Sequence, residues 1–273
     1  MKIYKYHATQ NDFIILLLTP EITLEKVIAN TKQLCNRRTG IGADGILALN
    51  INTEIPVMNV INADATIAET CGNGLRAAAR YLVEYQNFPH ENPIQIKTMA
   101  GIQPATVIEI NDNKPWLVQV EFPQPEFRTP FTLSIEHREF KLYPVSLANP
   151  HAVLFTEENP HRLIEIYGKI LSSLPRFDGA VNIEMIRKHR DQDTYDLAVY
   201  ERGVGITPAC GSGTVAAAAV IQKYIENTFI PETLYFKLNG GDLAVKPPRL
   251  LQNTENYKLS GEAQFVFTTD INF

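Results

Sequence analysis

Two short stretches of this chain carry the residue types that proton chemistry needs. Cys71-Gly72-Asn73-Gly74, followed by Ala77-Ala78-Ala79, recurs as Cys210-Gly211-Ser212-Gly213, followed by Ala216-Ala217-Ala218. The chain has only three cysteines in 273 residues, and two of them stand in this one context, one in each half. A cysteine before a glycine-rich turn into an alanine-rich segment lies at a helix N-terminus. There, unpaired backbone N–H groups and the helix dipole favour an anion and draw a thiol pKa from about 8.5 toward neutrality. Glycines beside the sulfur leave room for a ligand carboxylate to reach those N–H groups. If two such termini face one another, the carbon next to the held carboxylate lies between two sulfurs. One thiolate removes its proton, the opposite thiol delivers a proton to the other face, and configuration inverts. The same backbone donors stabilise the developing enediolate. Such a reaction requires no cofactor.

Other readings of these residues stand beside that one. A single buried cysteine is commonly a small hydrophobe, and its glycines packing devices; the duplication of the whole context favours chemistry. Cys35 ends an amphipathic segment without glycines and without a counterpart, and is read as structural. Two activated thiols could instead form a redox pair, although neither has a resolving partner nearby in sequence. Gly40-Ile41-Gly42-Ala43-Asp44-Gly45 matches a dinucleotide-binding fingerprint, but a helical pattern precedes it and a strand pattern follows. That is the reverse of what the fingerprint requires, so it is read as a tight turn lining a pocket.

The elements that must position the thiols follow from apolar periodicity. Helical patterns cover 24–34, 76–85, 162–174 and 214–225, the second and fourth alanine-rich and expected to be buried. Strand patterns fall at 12–18, 45–51, 57–62, 94–99 and 105–110, then at 116–122, 140–145, 152–156, 195–201 and 234–238. The same order of elements thus occurs twice, with Pro123, Pro125 and Pro130 interrupting the middle near residues 112–125. The fold class is α/β with two pseudo-symmetric halves. At 45% hydrophobic and 20% charged residues the composition is that of a globular protein with a real core. The net charge of −5 carries no basic stripe, the longest cluster being 185–191, so a small-molecule partner is expected and nucleic acid is not. The apolar run 13–18 is too short for a signal peptide or a membrane span and is read as a buried strand, so no membrane association is expected. Odd cysteine usage without C-x-x-C spacing fits a reducing cytoplasm and gives no metal site.

These motifs resemble those of the diaminopimelate epimerase family nearly end to end. The markers are "NDF" at 11–13, "GIGADG" at 40–45, "NAD" and "CGNG" within 62–74, "NPH" at 149–151, Asn182, and "ERGVG" with "ACGSG" within 201–213. The resemblance implies a curled mixed β-sheet around a central helix in each lobe, with the active site in the cleft between lobes. The lobes would comprise 1–115, joined by a returning strand over 262–273, and 116–261. It implies a cofactor-independent epimerase of LL- and meso-diaminopimelate serving lysine and peptidoglycan precursor synthesis, and a homodimer with Phe267 at the contact. Read plainly, Phe267 is a core residue of the strand pattern "FVFTT".

By the same resemblance Cys71 donates and Cys210 accepts the proton in the LL-to-meso direction, with roles exchanged in reverse. Gly72, Asn73, Gly211 and Ser212 hold the carboxylate at the reacting carbon through backbone amides. Asn11, Gly45, Asn62, Asn149, Asn182, Glu201 and Arg202 contact substrate, several at its distal amino-acid group, and His151 and Glu201 tune the thiols. Read alone, Asn11 and Asn62 are equally turn residues at strand ends, Glu201 and Arg202 a solvated pair, and His151 a structural histidine. The chain departs from the family pattern in two places. Ala65 follows Asp64 where the family has glycine, so that loop is expected to be shaped differently. Ile206 and Pro208 flank Thr207 where the family has Glu-Thr, leaving a charge missing beside the second thiol. A racemase of another amino acid, as in proline racemase relatives with paired cysteines, and a non-catalytic amino-acid binder are the remaining alternatives.

Overall fold

Strands rich in apolar residues need cover on both faces, and each half of the chain supplies two helices to provide it. A computed structural model describes residues 1–112, 114–147, 149–189, 193–225, 231–249 and 255–271. The chain divides into two compact units, 1–120 with 261–273, and 121–260. In the first, chain order is β1 (Lys2–Ala8), β2 (Asn11–Leu17), α1 (Leu24–Cys35), β3 (Gly45–Asn50), β4 (Val57–Asn62), β5 (Ile67–Ala68), α2 (Gly72–Gln86), β6 (Ile94–Thr98), β7 (Gly101–Glu109) and β8 (Trp116–Phe122). In the second it is β9 (Glu126–Phe127), β10 (Phe131–Ile135), β11 (Arg138–Leu147), β12 (Asn149–Phe155), α3 (Pro160–Ser172), β13 (Asn182–Lys188), β14 (Thr194–Glu201), β15 (Gly205–Thr207), α4 (Gly211–Tyr224), β16 (Leu234–Leu238) and β17 (Gly241–Lys246). The last strand, β18 (Tyr257–Asp270), pairs antiparallel with β1 from Gln264 onward.

The two units repeat one topology. In the first, the β1–β2 hairpin leads through α1 to β3, parallel to β2; β4 returns antiparallel, and α2 leads to β6, parallel to β4. In the second, β11–β12 leads through α3 to β13, parallel to β12; β14 returns antiparallel, and α4 leads to β16, parallel to β14. A short strand precedes each alanine-rich helix and pairs back on the sheet, β5 on β4 and β15 on β14. The crossovers explain why single helices sit between parallel neighbours.

Alternation along the strands assigns the faces. Ile3, Ile14, Leu16, Ile46 and Ala48 form one core cluster with Val27 and Cys35 of α1. The opposite face carries Tyr4 and Tyr6, which meet Tyr81 of α2. In the second unit Leu142, Ala152, Leu154, Ile183 and Met185 pack with Leu163, Ile164 and Leu171 of α3. The side chains of Ala77, Ala78 and Ala79 in α2 and of Ala216 through Ala219 in α4 are wholly buried. Alanine is what allows a helix to be enclosed so closely; a leucine in its place would overpack by about 1–3 kcal/mol.

Both alanine-rich helices begin earlier than their periodicity indicates, at Gly72 and Gly211, because their first turns are glycine-rich and lack apolar markers. β1, β5, β9, β10, β13, β15 and β17 also form where no strand was expected, and of the basic cluster 185–191 the residues Arg190 and Asp191 lie outside the described residues. Phe267 is not a core residue: it is 40% exposed beside Val266 at 50%, since alternating burial along β18 ends where the strand outruns its packed face. Ala65 takes the left-handed conformation, φ 72°, that glycine would take more readily. The turn is held by Ala65 N–H to Asn62 O at 2.8 Å, Asn62 N–H to Thr66 O at 2.8 Å and Thr66 N–H to Asp64 Oδ1 at 2.8 Å. The loop therefore keeps a glycine-like shape at a conformational cost of about 1–2 kcal/mol. Ala65→Gly is expected to raise the unfolding free energy in urea titration by up to about 1 kcal/mol, part of the relief being offset by glycine's greater unfolded-state entropy. A fall in stability would show that Ala65 is not strained.

Candidate functional site

Cys71 and Cys210 occupy the N-cap positions of α2 and α4, a role usually filled by Ser, Thr, Asp or Asn. Their backbones are nearly superimposable in dihedral terms, φ −150° and ψ 114° for Cys71, φ −131° and ψ 115° for Cys210. Each sulfur accepts the amide of the residue three positions on, Gly74 N–H at 3.4 Å and Gly213 N–H at 3.4 Å. The N–H groups of Gly72 and Asn73, and of Gly211 and Ser212, come earlier in the helix and have no acceptor within it. Each sulfur is thus flanked by two backbone donors without an acceptor in their own helix, the feature that a carboxylate needs. Gly74 and Gly213 admit protein neighbours rather than a ligand: an added Cβ would lie 3.0 Å from Leu47 Cδ2 in the first case and 2.6 Å from Glu184 Oε1 in the second.

In the first unit the half-buried Cys71 belongs to a polar chain that starts at Asn11. Asn11 Oδ1 accepts from Asn73 Nδ2 at 3.1 Å and lies 3.9 Å from Cys71 Sγ, while Asn11 Nδ2 donates to Asp44 Oδ2 at 2.9 Å. Asn11 can do this because the β1–β2 hairpin turns through Thr9 and Gln10, both at positive φ, 48° and 65°. Asp44, in the loop that the glycine-rich stretch forms between α1 and β3, joins Asp12, Lys5 and Arg37: Lys5 to Asp12 at 2.6 Å, Arg37 to Asp12 at 2.7 Å and to Asp44 at 2.7 Å. Lys5 also donates to Gly42 O. Its cations hold the Asp12 carboxyl far below the usual range against the opposing effect of burial, which is the largest single influence. Asn62 is exposed and donates to Thr66 Oγ1 at 2.9 Å, the turn role open to it from sequence. Gly45, opposite Asn62 in the β3–β4 register, has no space for a side chain, since a Cβ would stand 2.6 Å from Ile61 O. Cys35 lies in the α1 core, where burial pushes its thiol up to about 11.

In the second unit Cys210 is buried among acids. His151 on β12 stands opposite Asn182 in the parallel β12–β13 register, and His151 Nδ1 is 2.7 Å from Glu184 Oε1. A carboxylate at that distance accepts a hydrogen bond from Nδ1–H, which leaves Nε2, buried and without a hydrogen-bond partner among the described residues, as the other ring nitrogen. Asn182 Oδ1 accepts the Arg202 N–H at 2.8 Å, and Glu201 Oε1 accepts Thr207 Oγ1–H at 2.5 Å. Asn149 and Arg202 are exposed, and among the described residues no ion pair joins Glu201 to Arg202. Burial raises the Glu201 carboxyl, with Glu184 reinforcing it.

This environment corrects two expectations. The helix N-terminus does not leave Cys210 acidic: burial, then Glu201, then Glu184 push its thiol well up, outweighing Ser212 and the Gly213 amide. Nor is a charge missing beside this thiol, because Glu184 supplies one from β13. Its sequence signal was an acid inside the largely apolar stretch "VNIEMI" at 181–186, two residues and hence one face from Asn182. Arg76, wholly buried in α2, was likewise passed over among its alanines. Among the described residues no group of His, Cys, Asp and Glu is arranged to hold a metal ion, and no helix is long and apolar enough to cross a membrane. Glu184→Gln removes a negative charge but keeps the shape; it is expected to lower the pH midpoint of Cys210 thiolate formation, read by ultraviolet absorbance with Cys35 and Cys71 replaced by Ala, by about 1 unit. An unmoved midpoint would show that Glu184 exerts no field on the sulfur.

The fold and motifs can be set against known proteins. The sequence model described as "Diaminopimelate epimerase" matches residues 3–127 and 143–265. Diaminopimelate epimerase of Halothermothrix orenii is 30% identical over 98% of this chain and 96% of its own, and that of Carboxydothermus hydrogenoformans 31% identical over 98% of each. Among solved structures, the PhzF-family phenazine biosynthesis protein of Bacillus anthracis superposes with a TM-score of 0.74 at 16% identity, covering 100% of this chain and 99% of that one, which shows a shared fold. With both repeats spanned by one family model and full-length relatives at this identity, the chain belongs to the diaminopimelate epimerase family.

Proposed function

We propose that this protein is a cofactor-independent epimerase interconverting LL- and meso-diaminopimelate, with Cys71 and Cys210 as its acid–base pair, in the supply of lysine and peptidoglycan precursors. The observation that carries the reading is the twin N-cap thiol, built with the same dihedrals and the same amide-to-sulfur bond in both units. Inversion at a carbon needs a base on one face and an acid on the other. Two N-cap thiols supply both, each serving as the base in one direction and the acid in the other, so the reaction is reversible by construction.

In the LL-to-meso direction Cys210 takes the α-proton and Cys71 returns one; the reverse reaction exchanges them. The amides of Gly72, Asn73, Gly211 and Ser212 hold the α-carboxylate, and their dipoles stabilise the enediolate as it forms. Asn11, Gly45, Asn62, Asn149, Asn182, Glu201 and Arg202 are assigned to substrate, Glu201 and Arg202 to the charged groups at its far end, for which Arg202 is unpaired with Glu201 and exposed. His151 is assigned to tuning one thiol and Glu201 the other. The substrate is a small amino acid, the compartment a reducing cytoplasm that keeps both thiols free, and the assembly a homodimer in which Phe267 and its exposed neighbour Val266 are covered.

Chiral chromatography of LL-diaminopimelate incubated with the protein tests the reading. Wild-type protein is expected to yield the meso isomer. Cys71→Ala and Cys210→Ala are each expected to lose turnover by at least about 100-fold, the lower range for a removed acid or base. Cys35→Ala should be nearly neutral. Turnover of proline and not of diaminopimelate would replace the substrate assignment, and loss of activity in a folded Cys35→Ala variant would mean the wrong sulfurs have been paired. Sedimentation of Phe267→Asp should show monomer where the wild type is dimeric; an unchanged mass would remove Phe267 from the contact.

A further inference from the structure

Arg76 lies in the second turn of α2, five residues past Cys71, and its guanidinium is fully buried with no carboxylate paired to it among the described residues. Nη2 donates to Asn73 Oδ1 at 2.8 Å and to Thr9 Oγ1 at 3.1 Å, Nε reaches the Glu262 carbonyl at 3.5 Å, and Nη1 has no hydrogen-bond partner among the described residues. All of these acceptors are neutral. A buried cation so placed is costly unless an anion compensates it.

The surrounding charges are already matched. Lys5 and Arg37 face Asp12 and Asp44, two against two, and Lys5 and Asp12 fall on the α1 side of the sheet. Arg80, one turn further along α2, pairs with Glu84 at 3.0 Å, and Glu84 accepts Tyr6 O–H at 2.8 Å. The faces of β1 and β2 turned to α2 otherwise present Tyr4, Phe13 and Ile15. His7, on the other face of β1, has a buried Nδ1 without a hydrogen-bond partner, and Glu109 of β7 and Glu262 of β18 are exposed. One positive charge therefore remains over, and the group nearby able to become its anion is the Cys71 sulfur. Asn73 links the two: it accepts from Arg76 and donates to Asn11, which lies against that sulfur. Burial draws the Arg76 guanidinium down to about 10, and its interaction with Cys71 works the other way, as between opposite charges.

We propose that Arg76 is the buried counter-cation of a Cys71 thiolate, so that the half-sites are polarised oppositely before substrate arrives, a cation behind Cys71 and carboxylates beside Cys210, the protonation form that starts the meso-to-LL direction. Arg76 is a positioning residue in this scheme, acting through Asn73 and through its field. The catalytic consequence rests on the epimerase reading, while the charge pairing does not.

Peptide-resolved iodoacetamide alkylation across pH, on the reduced full-length chain, reads the thiolate at each cysteine. In wild type the Cys71 midpoint should lie below the ordinary thiol value of about 8.5. Arg76→Met should raise it by about 1–3 units, Arg76→Lys should keep it low, and neither should move the Cys210 midpoint. A wild-type Cys71 midpoint at or above the ordinary value overturns the proposal without any variant, which decides the matter should Arg76→Met fail to fold. An unmoved midpoint in folded Arg76→Met, or an equal rise in Arg76→Lys, also overturns it and leaves Arg76 a packing residue. A low, Arg76-dependent midpoint in a protein that does not epimerise diaminopimelate would sustain this proposal while removing the function, and the opposite pattern would do the reverse.

Discussion

The interaction on which the site depends is a cysteine sulfur accepting the third amide of its own helix. A cap of this kind fixes the sulfur against the helix N-terminus and leaves the first two amides directed at the same region of space. Serine would cap as well, but it would not exchange a proton near neutral pH. The remainder of each unit serves that placement: strands hold the helix, and the wholly buried alanines let it sink into the unit.

A shared cap does not make equal acids. Cys71 sits half-buried in a web of asparagines with Arg76 behind it, whereas Cys210 is buried beside Glu201 and Glu184. The same helix dipole acts on both, at a magnitude of about 0.3–1 kcal/mol when exposed, and up to about 2 kcal/mol when partly buried. Full burial and neighbouring carboxylates can move a pKa by several units, so at Cys210 they prevail. The repeat therefore supplies two copies of one geometry, and the side chains outside the repeat motif differentiate them.

This division also explains what could be read from the sequence. The thiols, the glycines, the alanine-rich helices and the twofold order of elements are local patterns, and they led to the fold class and the family. Glu184 and Arg76 matter because strand register and helix burial carry them beneath the caps, and single residues within apolar runs do not announce that. The Ala65 turn was misjudged for a related reason: the Asn62–Thr66 bonds override alanine's preference, and propensity alone contains no such term. Phe267 looked like core because its strand is apolar, yet burial depends on where the covering helix ends.

The central claim is that two sulfurs act on opposite faces of one carbon. Its most direct measurement is the position of solvent deuterium at early conversion of LL-diaminopimelate in heavy water. The account predicts meso product carrying one deuteron at the inverted carbon while recovered LL substrate stays unlabelled, since the thiol that removes the proton is not the one that returns it. Label entering substrate and product alike, or no label in either, would contradict it.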